Sequence, residues 1–334
     1  MPAVNSRKPV ELWASVPLLA LSLAGCGPST TAVASCDRAC LIETANTYLA
    51  ALEAGDPAAA PLDDDLGFVE NLVRLPAGEG LWQSIAGISD GFRIVVPDPA
   101  AGSVGIIALI DRQTDSGIVP ELLAVRLRLE DNVIVEAEHL IGELQPGVDA
   151  SSLTAPRPNL TATVPEAERA TRDELIAIAD AYYEGLVASD ASGVPFADDC
   201  ERQENGLITA AWYLAPASFD SEDVNGNRPP PVARDCVGQM DSARFAYIDS
   251  IDHRRIFAAD PVQGLVMGLS HFRQSMSRGP LEMIAADGTR VMWEEKRDPY
   301  DLPAAHVFKI SGGQIHEIEA IGIFVPYLSA TGWE

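Results

Sequence analysis

The stretch "LIETANTYLAALEAGDPAAAPLDDDLGFVEN" (41–71) returns 134 residues later as "LIAIADAYYEGLVASDASGVPFADDCERQEN" (175–205). The offset holds without a gap over 31 positions, and twelve pairs are identical, among them Tyr48/Tyr182, Asp56/Asp190, Glu70/Glu204 and Asn71/Asn205. Chance does not supply such a match, so the chain is read as two copies of one module. Copy two opens with Thr171-x-x-Glu174, a capping-box pattern. Leu175, Ile178, Ala179, Tyr182 and Leu186 then follow at helical spacing, which predicts a helix with one buried stripe. A Gly-Asp or Ser-Asp pair ends that helix, and Pro61 or Pro195 leads into a strand that closes on Glu-Asn.

The correspondence continues. "FRIVVPDPAAGSVG" (92–105) answers "RRIFAADPVQGLVM" (254–267), setting Arg93 against Arg255 and Asp98 against Asp260. Arg and Asp five residues apart read as a corner ion pair within each copy. "AVRLRLEDNVIVEAE" (124–138) answers "AHVFKISGGQIHEIE" (305–319), two hairpins that turn on Asp131-Asn132 and Gly312-Gly313. Residues 145–165 are rich in Pro, Ser and Thr and lack periodicity, as a linker does. The expected organisation is module 1 over 36–144, a linker over 145–168, and module 2 over 169–328 with an insertion at 207–240. One helix followed by a long antiparallel meander makes each module α+β, with its helices on one face of a curved sheet.

Of the 334 residues, 47% are hydrophobic and 22% charged, enough apolar content for real cores. The formal net charge of −26 repels phosphate backbones and argues against nucleic acid as a partner. At the N-terminus, Arg7 and Lys8 precede an apolar run too short for a stable membrane span, ending in "LAGC" (23–26). That run resembles a bacterial lipobox, which makes residues 1–25 a lipoprotein signal peptide, Cys26 the lipidated residue and residues 26–35 a tether. The alternative is an ordinary signal peptide with a cysteine at its cleavage site. The lipobox reading places the protein in the cell envelope, at the outer membrane, touching the bilayer only through its lipid. Export favours disulfides among the other four cysteines. Three pairings exist, and the two local ones, Cys36 with Cys40 and Cys200 with Cys236, are expected.

Helix, then Tyr-x-x-Ala/Gly-Leu-x-x-x-Asp, then Pro-x-x-Asp-Asp, then a strand ending in Glu-Asn, then a hairpin closing on Ile-x-Glu-x-Glu or its like: this order resembles the SnoaL-like branch of the nuclear-transport-factor-2-like (NTF2-like) superfamily. More narrowly, it resembles a secreted family with ADDCxRxENG and GEGLW signatures. Copy two carries "ADDCERQENG" (197–206), while copy one carries "LPAGEGLW" (75–82) and has "DDDLGFVENL" (63–72) in place of the first signature. The resemblance implies a cone open at one end to an apolar pocket. It also implies modules that pair sheet to sheet, so two copies on one chain would give a monomer with an internal pseudo-dimer. The superfamily hosts isomerases, cyclases, dehydratases, lyases and non-catalytic modules, so the fold names no activity.

Glu204 and Asn205 are strand neighbours and point to opposite faces. Inside an apolar cone Glu204 would be a usable general acid or base; otherwise it pairs with Arg202 or with backbone N–H groups. Glu70 and Asn71 hold the same places in copy one. Tyr48 and Tyr182, on the buried helix stripe, are either oxyanion donors or core aromatics, and asparagine is a second candidate donor. His139 shares a strand face with Val133, Val135 and Ala137, as a pocket base or a hydrogen-bonded core residue. His271 lies on a central strand of copy two. His306 and His316 face each other only in a regular hairpin, and their spacing fits no zinc motif, so no metal is expected. Trp82 starts a short helix and either stacks on a ligand ring or fills the mouth of cone one. Trp212, in the insertion, either covers cone two or sits on the surface.

No P-loop, dinucleotide fingerprint, Gly-x-Ser-x-Gly or HExxH occurs, which leaves no cofactor to expect. The function expected is a cofactor-independent isomerase, dehydratase or lyase moving a proton on a small apolar or aromatic molecule, with copy two the active one. The alternative is a non-catalytic envelope lipoprotein that binds a small ligand or a protein.

Overall fold

The first helix of each module forms for reasons written at its ends. In α1 (Arg38–Glu53), Asp37 caps by accepting the Cys40 N–H at 2.9 Å, and Leu41, Ala45, Tyr48, Leu49 and Leu52 are buried along one stripe. Module 1 continues with β1 (Leu62–Glu70), β2 (Val73–Arg74), a short α2 (Leu81–Ser84), β3 (Ile85–Asp98), β4 (Ser103–Thr114), β5 (Gly117–Glu130) and β6 (Val133–Glu143). A connecting segment carries α3 (Pro158–Thr161). Module 2 opens with α4 (Arg172–Ala188), where Thr171 and Glu174 close the reciprocal capping box. It continues with β7 (Phe196–Glu204), β8 (Leu207–Ala211), α5 (Cys236–Asp241), β9 (Ser250–Asp260), β10 (Leu265–Gln274), β11 (Leu281–Ile284), β12 (Arg290–Trp293), β13 (Tyr300–Ser311), β14 (Gln314–Gly322) and β15 (Val325–Pro326). These elements come from a computed structural model that describes residues 36–219, 222–223 and 225–334. The expected signal peptide and tether, with Cys26, lie outside the described residues.

The main sheets run β2-β1-β6-β5-β4-β3 and β8-β7-β14-β13-β10-β9, the same order strand for strand, with the β11–β12 hairpin added in module 2. This is the expected α+β arrangement of two tandem modules, each a curved sheet closed over its first helix. The sheets are not wholly antiparallel, because β1 pairs parallel with β6 and β7 parallel with β14. β8 belongs to the sheet, so the extra loop of module 2 leaves the fold after Ala211 rather than at 207.

Asp131 and Asn132 both take left-handed φ (49° and 67°), which gives the hairpin the twist its strands need. Just beyond each such turn the last strand carries a bulge, with Val135 the extra residue in β6 and His316 its counterpart in β14. The bulge changes the alternation. Ile134, Ala137, His139 and Ile141 therefore share the inner face, not the Val133–Val135–Ala137–His139 set expected from strict period two. The bulge also moves the partner of His306 from Glu319 to Ala320, while His316, the extra residue, pairs with Asp199 at the surface.

The three largest cores among the described residues lie one inside each cone and a third between the sheets, where Ile94, Ile107 and Leu122 of module 1 meet Met267, Leu269 and Val307 of module 2. Contact there is tight: a Cβ on Gly105 would come within 2.4 Å of the Met267 sulfur. The connecting segment is a strap and not a free linker, since Leu153, Leu160 and Val164 are buried and Arg157 donates to Glu201 and Glu319.

The corner ion pairs form between the modules, not within them. Arg38 at the start of α1 reaches Asp260 at the end of β9 (2.8 Å), and Arg172 at the start of α4 reaches Asp98 at the end of β3 (2.8 Å). Both carboxylates are buried, 2% and 1% exposed, and both arginines are about a third exposed. Arg255 crosses as well, forking onto Glu138 of module 1, while Arg93 donates to Asn46.

Candidate functional site

Inside cone 1 three of the expected residues come together. The Tyr48 hydroxyl lies 2.9 Å from His139 Nε2, and His139 Nδ1 lies 3.1 Å from Glu70 Oε2. Burial, followed by the Glu70 charge, pushes the Tyr48 phenol far up, so the hydroxyl keeps its proton; with the Glu70 carboxylate accepting from His139 Nδ1–H, Nε2 of the neutral ring accepts from the Tyr48 hydroxyl. Glu70 also accepts the Leu81 N–H that opens α2, at 3.0 Å. Gly80 makes that contact possible. Its φ is +65°, and a Cβ there would stand 2.3 Å from Glu70 Oε1. The run Gly78-Glu79-Gly80-Leu81-Trp82 thus has a physical reading, a glycine that lets a buried carboxylate cap the helix carrying Trp82.

This chain of hydrogen bonds is closed. Tyr48, Phe68 and His139 are almost fully buried, and Trp82 packs edge-on against Tyr48 with ring centres 5.5 Å apart. Trp82 fills the cone in place of stacking on a ligand.

Asn71 and Asn205, expected as candidate donors, have their side-chain amides engaged by backbone groups. Asn71 brackets Ile141 through both backbone groups, and Asn205 donates to Glu143 O and Gly322 O while accepting the Gly322 N–H. Both adopt left-handed φ (43° and 45°), which asparagine tolerates better than most residues. They fasten the end of the closing strand in each module.

Cone 2 is built differently at three matched positions. Glu70 sits beside His139 across the parallel pair, whereas Glu204 sits beside Ala320. Val125 faces His139, whereas His306 faces Ala320. Arg202 stands where module 1 has Phe68. It donates to the Tyr182 hydroxyl (3.0 Å), to Thr209 Oγ1 (2.7 Å) and to Glu204 Oε2 (2.7 Å). Removing an imidazole at Ala320 leaves space, and a cavity of about 150 Å³ opens there, walled by Glu204, His306, Phe272, Leu302, Ala320 and others.

His306 is 1% exposed and surrounded by the rings of Tyr182, Tyr183, Phe272 and Phe308. Burial, and then the Arg202 charge, pulls it down to about 3, so the imidazole is neutral at physiological pH. Its Nδ1 is buried and has no partner among the described residues. A neutral ring with unused hydrogen-bonding capacity at a cavity wall can donate to, or accept from, a bound molecule.

The other candidates fall outside this cavity. His271 points to the opposite face of β10, towards Asp301 and His253, because Val266 and Phe272 rather than Leu269 and His271 face the cone. Trp212 is 64% exposed and stacks edge-on with Tyr213 at the surface. Tyr182 lies beneath Arg202 as a core aromatic, its hydroxyl accepting from the guanidinium. The disulfides are Cys36–Cys40 and Cys200–Cys236, and the second ties β7 to α5 beneath the cavity. The sequence reading passed over Ala320, Arg244 and the placing of His306. Aligning the two closing hairpins position by position would have exposed the His139/Ala320 and Val125/His306 exchanges.

Residues 168–322, essentially module 2, match the sequence model of a domain of unknown function, DUF8021. No curated protein matches the chain. Among solved structures the chain is similar to AclR of Streptomyces galilaeus, provisionally assigned as a hydroxylase, at 13% identity and TM-score 0.28, over 47% of this chain and 83% of that one. A provisionally assigned polyketide cyclase of Silicibacter sp. TM1040 aligns at 15% identity and TM-score 0.27, over 46% and 90%. At such scores neither structure bears on chemistry here, and the fold assignment rests on the strand order itself.

Proposed function

We propose that module 2 is the working half of the protein, a cofactor-independent site of isomerase, dehydratase or lyase type acting on a small apolar or aromatic molecule. Glu204 takes or gives the proton, and neutral His306 hydrogen-bonds the oxygen on which charge builds. The observation that carries this reading is the presence of both groups on the wall of one cavity whose remaining lining joins apolar and aromatic side chains to charged ones.

A screen of aromatic and carbonyl compounds by thermal shift, followed by NMR detection of deuterium uptake at carbon, tests it before the natural substrate is identified. Glu204→Gln should bind the hit as before and lose 10²- to 10⁴-fold in exchange rate, the usual size of general acid–base contributions. An unchanged rate removes Glu204 from the mechanism.

One observation favours a second reading, a binding module without turnover. Glu204 is already the counter-ion of Arg202 at 2.7 Å. Binding without any exchange in the same screen would select it. Under either reading the two disulfides fit an oxidising compartment. We infer export and anchoring through lipidated Cys26, with the chain acting as a monomer whose two modules serve as each other's partner. Failure of Cys26→Ser to release the protein from membranes would remove the anchor from this picture.

A further inference from the structure

The cavity of module 2 is lined by three guanidinium groups, Arg202, Arg244 and Arg297, against two carboxylates, Glu204 and Glu295. Surplus positive charge on a concave wall is out of keeping with a chain of net charge −26. Arg202 is fully used, as described. Arg244 is not. Its Nε is buried without a partner, its nearest carboxylate oxygen is Glu295 Oε2 at 3.6 Å, and among the described residues its side chain makes no hydrogen bond. Instead its Cζ lies over the Phe219 ring, 3.8 Å from the ring centre. Arg297 leans on the same Glu295, Nε to Oε1 at 3.5 Å, from the rim of the cavity. One carboxylate is therefore divided between two guanidiniums, and neither contact is a good hydrogen bond. A guanidinium held out of bulk water with idle donors is costly until an acceptor arrives, and an arginine fork matches a carboxylate best.

We propose that this cavity receives a small monocarboxylate, its carboxylate on Arg244 and Arg297 and its apolar body against Phe272, Leu302 and Ala320. The proposal rests on the reading of the cavity as the working site and narrows the ligand to an anion. Size sets a second limit: a protein cavity of roughly 150 Å³ holds a benzene-sized ring, so the body is one ring or a short chain. Glu204, at the same wall, argues against a second carboxylate on the ligand.

Calorimetric titration of the whole chain with benzoate and with benzamide, its neutral counterpart of the same shape, tests the proposal. Benzoate should bind at least about tenfold more tightly, the usual scale for hydrogen bonds to charged groups. Arg244→Gln should erase that preference, and Arg297→Gln should reduce it severalfold. The second variant guards against misfolding of the first, since Arg297 is more than a third exposed. Ala320→Phe should abolish binding of both compounds.

Equal affinity for the two, both lost in Ala320→Phe, overturns the carboxylate assignment and leaves the cavity as a site. Benzoate preference that survives both arginine variants also overturns it. Binding untouched by Ala320→Phe, or no binding of either compound at millimolar concentration, overturns the cavity reading as well.

Discussion

Modules 1 and 2 share strand order, the bulge after the last turn, the asparagine bracket, the buried helix tyrosine and a carboxylate at the end of the first strand. Yet one is filled and the other hollow. Three exchanges make the difference: Phe68 for Arg202, His139 for Ala320, and Val125 for His306. In module 1 a histidine bonds both tyrosine and glutamate, and a tryptophan closes the space. In module 2 that histidine has crossed to the neighbouring strand, an arginine has taken over its two partners, and an alanine leaves room for a guest. Apart from the strand-end glutamate, what the modules have in common serves folding, and the cavity that would put Glu204 to use comes from what they do not share. Glu-Asn, the most visible repeated motif, proves half structural in each copy.

The largest expected test of this contrast is a pair of deletions. His139→Ala opens a hole and leaves both the Tyr48 hydroxyl and Glu70 short of a partner, and should cost about 4 kcal/mol in urea unfolding. His306→Ala merely enlarges an existing cavity, and about 1–2 kcal/mol is expected because no partner is left stranded. Equal losses would erase the distinction between filled and hollow.

The disulfides give the next contrast. Cys200–Cys236 closes a separation of 36 residues and Cys36–Cys40 one of 4. Removing them as Ser pairs should cost about 3–4 and about 2 kcal/mol respectively, if constraint of the unfolded chain dominates. The reverse order would show that the loop of module 2 is held by packing alone.

The crossed ion pairs should instead make the modules look alike. Asp98→Asn and Asp260→Asn are each expected to cost about 2 kcal/mol, below the value for a fully buried pair because both arginines stay partly in water. A large inequality would mean that the two contacts are not equivalent.

The last contrast concerns acid. His306 takes up its proton near pH 6.5 when unfolded and only at about 3 when folded. The unfolded state therefore binds more protons between these limits, and stability falls as pH drops from 6.5 towards 3. Glu319, pushed up to about 7 chiefly by burial, acts with the opposite sign. Its contribution is full below about 4.5 and is lost as pH rises through 7. His306→Asn should flatten the acid limb, and Glu319→Gln the neutral one. Unfolding profiles from pH 3 to 8 that overlay the parent would show that neither group titrates as its surroundings require.

The repeat made the two helices, the strand after each and the closing hairpins legible from the sequence, because a constant offset preserves every local signal. Contacts between the copies were not legible. Aligning Arg93 with Arg255 and Asp98 with Asp260 invites pairing within a copy, whereas the actual partners, Arg38 and Arg172, are matched residues of the two first helices. The Tyr48–His139–Glu70 chain was present as three separate candidates. The bulge at Val135 hid their meeting, since one extra residue turns the strand over. Cone 2 was harder to foresee for a different reason. Its decisive residue is Ala320, which carries no chemistry and matters by what it leaves empty.

The crossed salt links also bear on how such a chain is able to change over time. Each half keeps a carboxylate suited only to the other half's arginine, so neither could be discarded without exposing an unmatched charge. The filled half thus has a reason to persist even if it never meets a substrate, as a buttress that leaves its twin free to vary.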